Sequence, residues 1–381
     1  MKDIYMDYAA TTYLKNEVLE EMMPYFKEYY ANPSSIYRIS KKTKKSIRES
    51  KEKIAKLINA EWDEIFFTSG GTESDNWALK GIAWANENKG KHIITSAIEH
   101  SAILKTCKYL EGKGFKITYI PVDKEGIIKI DELEKAINKE TILVSIMFAN
   151  NEIGSIQPIK EIGTICKNKG VYFHTDAVQA IGHIPVDVKN LNVDLLSMSS
   201  HKFYGPKGIG ALYIKKGTNI HNLIHGGAQE RGKRSGTENI AAIVGMTKAL
   251  EICVTNMEEE VKKEMNLRDR LIEGLLTIPD SKLNGPLGER RLPSNVNVSF
   301  KNADGEAMLI LLDQNRIYAS AGSACSSGAL EYSHVIKSIG LRDEFSKGTI
   351  RFSLGDKTTK EEIEKIIKDM PNIVEKSRVF I

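Results

Sequence analysis

The strongest constraint on the fold is an alternation of short β-rich runs with helical patterns between Asp63 and Ile214. Such a rhythm predicts an α/β fold in which a mostly parallel sheet is covered by helices on both faces. The predicted strands are Glu64–Thr68, His92–Ser96, Lys116–Ile120, Thr141–Phe148, Val171–Asp176, Val193–Ser199 and Ile209–Ile214. Because ligands of these sheets bind beyond the carboxyl ends of the strands, polar residues that follow the runs are the first candidates for a site.

The pattern changes after about Glu251 and predicts a smaller α+β domain. Its expected elements are a charged helix, a strand, an apolar helix, two short strands and a final helix, at Met257–Leu276, Asn295–Phe300, Gly305–Leu312, Ile317–Ala319, Thr349–Ser353 and the C-terminus. The length of 381 residues also suggests two domains. We expect residues 13–255 to form the large domain, and residues 1–12 and 256–381 to form the small one.

Charge and hydropathy narrow the class of protein. A net charge of +4 gives no field that would point to nucleic acid as the main partner. The basic run Lys41–Lys45 leads into apolar residues at helical spacing, which favours a solvated helix face over a docking surface for an acidic partner. No apolar run is long enough to cross a bilayer and none follows the N-terminus as a leader, so we expect a cytoplasmic enzyme.

The cysteines do not form a framework. Cys107, Cys166, Cys253 and Cys325 are far apart in sequence and make no metal-type pair. Disulfides and a structural metal site are therefore not expected.

Lys202 stands where a buried strand gives way to a glycine-rich turn. Enclosure at a strand tip favours the neutral, nucleophilic form of an amine, although a solvated surface lysine is the ordinary alternative. Asp176 ends another apolar strand, and a carboxylate beside a pyridine nitrogen is the partner that pyridoxal 5'-phosphate (PLP) needs as an electron sink. The pair predicts that Lys202 is a Schiff-base lysine for PLP.

Four further residues with a candidate role follow predicted strands. Gly71 and Thr72 open a helix and suit a phosphate, although a turn with an N-cap is the commoner interpretation. His100 is placed to stack on a cofactor ring or to be purely structural. Gln179 falls on the face of Asp176 if a helix starts there, where it would reach the PLP phenolic oxygen or stay solvated.

Three more residues carry candidate chemistry outside that set. Asn151 follows an apolar run and suits hydrogen bonding to cofactor or substrate, or a turn. Cys325 lies in a run of small residues without periodicity, which favours an accessible, reactive thiol over a buried structural one. Arg351, inside a short apolar strand, predicts either a clamp for a substrate carboxylate or an internal ion pair.

Six motifs together resemble the cysteine desulfurases of the NifS/IscS type, within the class V aminotransferases. They are Ser-Ser-His-Lys-Phe-Tyr-Gly-Pro-Lys-Gly-Ile-Gly, His-Thr-Asp-Ala-Val-Gln, Gly-Gly-Thr-Glu-Ser-Asp-Asn, Asn-Asn-Glu-Ile-Gly, Arg-Ser-Gly-Thr and Gly-Ser-Ala-Cys-Ser-Ser-Gly. The resemblance spans nearly the whole chain. It implies the PLP-dependent aspartate-aminotransferase fold (fold type I) and a homodimer with sites near the subunit interface.

The resemblance also implies a role for each matching residue. Asp176 would hold the pyridine nitrogen, Gln179 the phenolic oxygen, and His100 would stack on the ring. The phosphate would be held by Gly71, Thr72, Ser199, His201 and, from the partner subunit, Thr237. The substrate carboxylate would be held by Asn151, Arg351 and Asn32.

The implied reaction converts L-cysteine to L-alanine. Lys202 removes the α-proton, and Cys325 accepts the sulfur as a persulfide for iron-sulfur cluster assembly or related sulfur transfer. The chain ends at Ile381 without the longer tail of the housekeeping branch, which favours a NifS-like member and leaves the sulfur acceptor or scaffold protein open. Two alternatives remain: a selenocysteine lyase or other PLP lyase of this fold, and a non-catalytic sulfur carrier or scaffold.

Overall fold

The computed structural model describes residues 3–321 and 333–378. The strands in that part of the chain are β1 Ile4–Tyr5, β2 Ile65–Thr68, β3 His92–Ser96, β4 Lys116–Ile120, β5 Thr141–Ser145, β6 Tyr172–Asp176, β7 Leu195–Ser199, β8 Gly210–Ile214, β9 Ser281–Leu283, β10 Asn295–Phe300, β11 Ile317–Tyr318 and β12 Thr349–Ser353. The helices there are α1 Asn16–Met22, α2 Pro24–Lys27, α3 Ser40–Leu57, α4 Gly71–Asn86, α5 Ser101–Glu111, α6 Ile130–Ala136, α7 Ile159–Lys169, α8 Ile240–Thr255, α9 Met257–Leu276, α10 Gly305–Gln314, α11 His334–Ser338, α12 Asp343–Ser346 and α13 Lys360–Arg378.

The largest sheet of the described residues has seven strands in the order β2-β8-β7-β6-β5-β3-β4. The pairs from β7 to β4 are parallel, and β8 runs antiparallel to both of its neighbours. The predicted mostly parallel sheet is therefore confirmed. The carboxyl ends of β3, β5, β6 and β7 meet at one edge, as parallel pairing requires.

Successive side chains of these strands point to opposite faces and feed two apolar cores. On one face Phe173 and Leu196 pack with residues of α3, α7 and α8. On the other face Leu143 and Leu195 pack with residues of α4 and α5, among them Trp77. Each fully buried side chain of this size contributes about 1.5–3 kcal/mol, so the sheet is a rigid base for whatever its edge carries.

A separate core lies against a second, three-stranded antiparallel sheet in the order β12-β10-β9. Val298 and Phe352 of this sheet pack with apolar residues of α9, α10 and α13. The N-terminus belongs here, because Ile4 and Met6 are buried in the same core and β1 pairs in parallel with β11.

Local differences from the expected elements have simple causes. The run after Ser145 leaves the regular strand, yet Phe148 N still donates to Asp176 O at 2.8 Å. No helix begins directly after Asp176. The chain there forms a turn in which Ile181 N donates to Ala177 O at 2.9 Å.

Within the described part of the chain, no single helix has the length and apolar composition of a membrane span. Helices α8 and α9 have that length and composition only when they are counted together, and they meet at a bend of 71°.

Candidate functional site

A cavity of about 300 Å³ opens at the carboxyl ends of the parallel strands. Its walls come from the strand ends, from the N-terminal segment and from β12. Ten residues that the sequence analysis singled out line it together: Gly71, Thr72, His100, Asn151, Asp176, Gln179, Ser199, His201, Lys202 and Arg351. The strand-end rule therefore located the cavity.

Lys202 lies in a short 3-10 turn, Ser200–Lys202, that directly follows β7. Its Nζ donates to the carbonyl oxygens of Ala9 and Ala10, each at 2.7 Å. Two backbone acceptors from the N-terminal segment thus fix the amine at the cavity wall. The sheet sets the position of the lysine, and residues nearly 200 positions earlier set the direction of its amine.

Asp176 ends β6 and is only 6% exposed. Its Oδ1 accepts from Val178 N at 2.9 Å, and burial raises the pKa of the carboxyl while the charges of His100 and Lys202 lower it. A second carboxyl, Asp75 of α4, also lines the cavity, and burial together with the charge of Asp176 raises the pKa of Asp75 well above its usual range. Two buried carboxyls that repel each other favour one shared negative charge, carried by the better solvated Asp176.

One wall of the cavity is built for an anion. Helix α4 begins at Gly71, so its first backbone N–H groups have no partner within the helix. A Cβ at Gly71 would lie 2.7 Å from Val178 Cγ2, which explains why glycine is required there. The Thr72 and Ser199 hydroxyls line the same wall, and the donor set suits a phosphate.

His201 contributes a neutral imidazole ring to the same wall of the cavity as Gly71 and Thr72. Burial and the charges of Lys202 and Lys207 lower its pKa to about 4, and its Nδ1 hydrogen bonds with Thr11 Oγ1 at 3.1 Å. A neutral imidazole keeps one N–H to donate, so His201 contributes a hydrogen bond to an anion rather than a charge.

Arg351 combines the two interpretations that the sequence left open. It is 2% exposed, its Nη2 is 2.7 Å from Asp7 Oδ1, and its Nη1 donates to Asn151 O at 3.0 Å. Arg351 also lines the cavity, and its buried Nε has no hydrogen-bond partner among the described residues. The arginine is thus ion-paired and still has a donor to offer.

His100 and Gln179 reach the cavity by different routes. His100 is the N-cap of α5, where its Nδ1 accepts from Ala102 N at 3.2 Å. Gln179 lies in the turn after β6 instead of the conditionally predicted helix, and its Nε2 donates to Ala9 O at 3.0 Å. The turn therefore places Gln179 in the wall of the same cavity as Asp176, which is what the predicted helix was expected to do.

Three predicted residues are not placed in this cavity. Asn32 is exposed, and its Oδ1 accepts from Ser34 N at 2.9 Å. Thr237 is also exposed and does not line the cavity. Cys325 lies outside the described residues.

Several lining residues were missed by the sequence analysis, namely Ala9, Ala10, Asp75, Glu99, Glu152 and His334. Burial raises the pKa of Glu99 to about 8, and its Oε1 accepts from Ser96 Oγ at 2.6 Å. Burial also raises the pKa of Glu152, whose Oε2 accepts from Ser333 Oγ at 2.5 Å. Both glutamates directly adjoin residues already singled out at strand ends, so the same rule pointed to them.

Within residues 3–321 and 333–378, no three or more His, Cys, Asp or Glu side chains are grouped so as to hold a metal ion.

Comparison with known proteins identifies the family. The Aminotransferase class-V family matches residues 4–366, and the chain belongs to that family. It is 60% identical over 379 residues to "Cysteine desulfurase IscS" of Clostridium botulinum, covering 99% of this chain and 96% of the relative. The resemblance to cysteine desulfurases of the NifS/IscS type is therefore confirmed.

Solved structures agree with this assignment. A "NIFS-LIKE PROTEIN" superposes with a TM-score of 0.93 at 42% identity, over 98% of this chain and 100% of that one. A structure described as "SspA in complex with cysteine" gives a TM-score of 0.83 at 36% identity, over 92% of this chain and 98% of that one. The fold is thus that of the NifS-like enzymes, as expected.

Proposed function

We propose that this chain is a PLP-dependent cysteine desulfurase, which converts L-cysteine to L-alanine and transfers the sulfur to Cys325 as a persulfide. The observation that carries the proposal is the convergence of Lys202, Asp176 and Arg351 on one cavity that the N-terminus of α4 also lines. An amine, a ring-nitrogen partner, a carboxylate clamp and a phosphate cradle are the groups that PLP and an amino acid need together.

The chain's own residues would hold PLP at both ends. Gly71, Thr72, Ser199 and His201 would hold the phosphate, while Asp176 would hold the ring nitrogen and Gln179 the phenolic oxygen. His100 would stack on the ring. When bound, PLP supplies an electron sink for negative charge at the substrate Cα.

Lys202 is the residue that handles the proton. Once its amine is neutral it can take the proton from the substrate Cα, and the carbonyls of Ala9 and Ala10 accept the hydrogens that remain on Nζ. Arg351 and Asn151 bind the substrate carboxylate and so fix the direction in which the Cα–H bond points. Position and proton transfer therefore come from two different parts of the cavity wall.

Sulfur transfer falls to Cys325, which lies outside the described residues. Its thiolate attacks the substrate sulfur, and the new S–S bond forms as the C–S bond breaks. The electron pair stays on the three-carbon fragment, which takes up a proton and leaves as alanine. The persulfide then passes its outer sulfur to an acceptor or scaffold protein, as iron-sulfur cluster assembly requires.

A homodimer would bring Asn32 and Thr237 into use. Both are exposed and away from their own cavity. The segment around Asn32 also exposes large apolar side chains, namely Leu19, Met23, Phe26, Tyr30, Ile36, Tyr37 and Ile39. Exposed apolar side chains concentrated in one stretch favour a subunit interface, so we assign Thr237 to the phosphate of the partner site. A cytoplasmic location remains a prediction.

The test is incubation of the PLP-loaded protein with L-cysteine. We expect alanine and a persulfide on Cys325, located by peptide mass. Cys325→Ser is expected to keep the absorbance of bound PLP and to lose the persulfide and nearly all turnover, because the sulfur then has no acceptor. Cys253→Ser, which changes a half-buried thiol that contacts Phe203 O, is the matched control and should turn over normally.

Full turnover by Cys325→Ser would show that Cys325 is not the residue that accepts the sulfur. The same assay with L-selenocysteine separates the alternative: a selenocysteine lyase would release alanine from the selenium substrate at a much higher rate than from L-cysteine. A purified protein that binds no PLP would instead favour a non-catalytic sulfur carrier.

A further inference from the structure

We propose that Asp7 is a positioning residue that limits how tightly Arg351 binds a substrate carboxylate, and so lets the product leave. The inference rests on the proposed function, because it takes Arg351 as the clamp for the carboxylate of L-cysteine and L-alanine. Its starting point is the ion pair between Arg351 Nη2 and Asp7 Oδ1, at 2.7 Å.

The backbone around Asp7 is fixed. Asp7 forms a parallel β-bridge with Ser353 of β12, and the Tyr5 hydroxyl donates to Asp7 O at 3.1 Å. Arg351 belongs to the same strand β12 and forms a bridge with Ser320. The carboxylate and the guanidinium are thus held opposite each other by two paired segments of backbone rather than by flexible side chains alone.

The pair is shielded from water, since the Arg351 side chain is 3% exposed and that of Asp7 18%. Asp7 engages only Nη2 and the carbonyl of Asn151 accepts from Nη1, while Nε has no partner within the described residues. A substrate carboxylate therefore finds a properly oriented guanidinium whose positive charge is already balanced.

The charge of Asp7 then acts against the incoming carboxylate. Two carboxylates that share one guanidinium repel each other, and with little water between them the repulsion is screened less than at a surface. Orientation comes from the hydrogen bond to Asp7, and weakening comes from its negative charge. An asparagine would keep the acceptor oxygen and remove the charge.

The test measures ligand binding to the PLP-loaded protein by the absorbance of bound PLP. Asp7→Asn is expected to bind L-alanine about 10-fold more tightly, a change of about 1.4 kcal/mol. L-Alaninamide has the same shape without the carboxylate charge, and its affinity should not change. In turnover, KM for L-cysteine should fall while kcat does not rise, because a tighter clamp holds substrate and product alike.

Asp3→Asn is the matched control. Asp3 lies just before strand β1, as Asp7 lies just after it, and Asp3 also pairs with an arginine, Arg316, at 2.7 Å. That pair is half exposed and does not line the cavity. We expect Asp3→Asn to bind L-alanine as the unmodified protein does. If Asp7→Asn folds poorly, Asp7→Ser provides a second neutral variant, which should also bind L-alanine more tightly than the unmodified protein but with a smaller gain, because the hydrogen bond that orients Arg351 is lost.

Equal or weaker binding of L-alanine by the neutral variants would overturn the proposal, and so would an equal gain for L-alaninamide. The proposed function fails in a different way: the unmodified protein itself would then bind neither L-alanine nor L-cysteine.

Discussion

Two buried polar regions lie on opposite sides of the Lys202 backbone, and they differ in one decisive respect. The cavity at the strand ends has a volume of about 300 Å³. Behind it, a space of about 30 Å³ lies among residues of α8 and α9, beside His183, whose Nε2 hydrogen bonds with Lys202 O at 2.9 Å. Each region contains a buried glutamate, Glu99 or Glu264, whose pKa burial raises to about 8.

The smaller region uses its charges internally. Lys15 pairs with Asp356 at 2.7 Å, and the Tyr13 hydroxyl donates to the same carboxylate oxygen at 2.8 Å. A space of this size holds a water molecule or two but no amino acid. The comparison teaches that a raised carboxyl pKa does not by itself mark a functional site. Room for a ligand, and donors that point into that room, are needed as well.

The largest expected effect is that of Lys202→Ala. The change removes the amine to which we propose that PLP attaches and which we propose takes the proton, so turnover should fall by at least about 10³-fold. Borohydride reduction followed by peptide mass should find PLP attached at residue 202 in the unmodified protein and nowhere in the variant. Lys189→Ala, which removes an exposed lysine paired with Glu61, should behave as the unmodified protein. Attachment at a different lysine would contradict the assignment of Lys202, and of the larger cavity, as the site of PLP.

Asp176→Asn is expected to come next. Asparagine can still accept from Val178 N through Oδ1 but cannot hold the ring nitrogen in its charged form. Turnover of L-cysteine should fall by about 10²-fold, with a shifted absorbance of bound PLP. Asp194→Asn is the control, since Asp194 lies at the other end of the sheet, where its Oδ2 accepts from Phe173 N at 3.0 Å. If both variants retained normal kcat, the carboxyl ends of the strands would have no special role.

The smallest effect should appear in the region behind Lys202. Burial raises the pKa of Glu264 from 4.5 to about 8, so its stabilising contribution is complete below pH 4.5 and is lost as the pH rises through 8. Glu264→Gln should therefore unfold at a temperature that depends less on pH between 5 and 8, and its free energy of unfolding should exceed that of the unmodified protein by more at pH 8 than at pH 5. Its turnover should stay within about twofold of the unmodified protein.

Glu273→Gln is the control for that measurement, because Glu273 is exposed on the same helix α9. It should leave the pH dependence of unfolding unchanged. A large loss of turnover in Glu264→Gln would mean that the smaller region takes part in catalysis, and the distinction between the two regions would collapse.

Much of this arrangement is predictable because its signals are local. The helix Met257–Leu276 and the strands Asn295–Phe300 and Thr349–Ser353 have the bounds that their patterns predict. The residues at the strand ends converge for a geometric reason, since parallel strands bring their carboxyl ends to one edge. Sequence patterning and that single rule were enough to locate the cavity.

The remaining features depend on contacts that leave no mark in the sequence. Asp7 and Arg351 are 344 residues apart, and nothing at either position reveals the other. Ala9 and Ala10 act through their carbonyl oxygens, which every residue type possesses. Gln179 reaches the cavity from a turn. The backbone N–H groups of Ala180 and Ile181 both donate to Ala177 O, and this turn does not continue into a regular helix.

The backbone acceptors that hold Lys202 have a consequence for how this protein tolerates change. No substitution at positions 9 or 10 can delete a carbonyl oxygen, so point mutation has little access to this half of the lysine's environment. Insertion, deletion or proteolysis near the N-terminus does have access, because any of these shifts the register of Asp7, Ala9 and Ala10 at once. The two carbonyl acceptors at positions 9 and 10 are therefore robust to amino-acid replacement and fragile to a change in the length of the N-terminal segment.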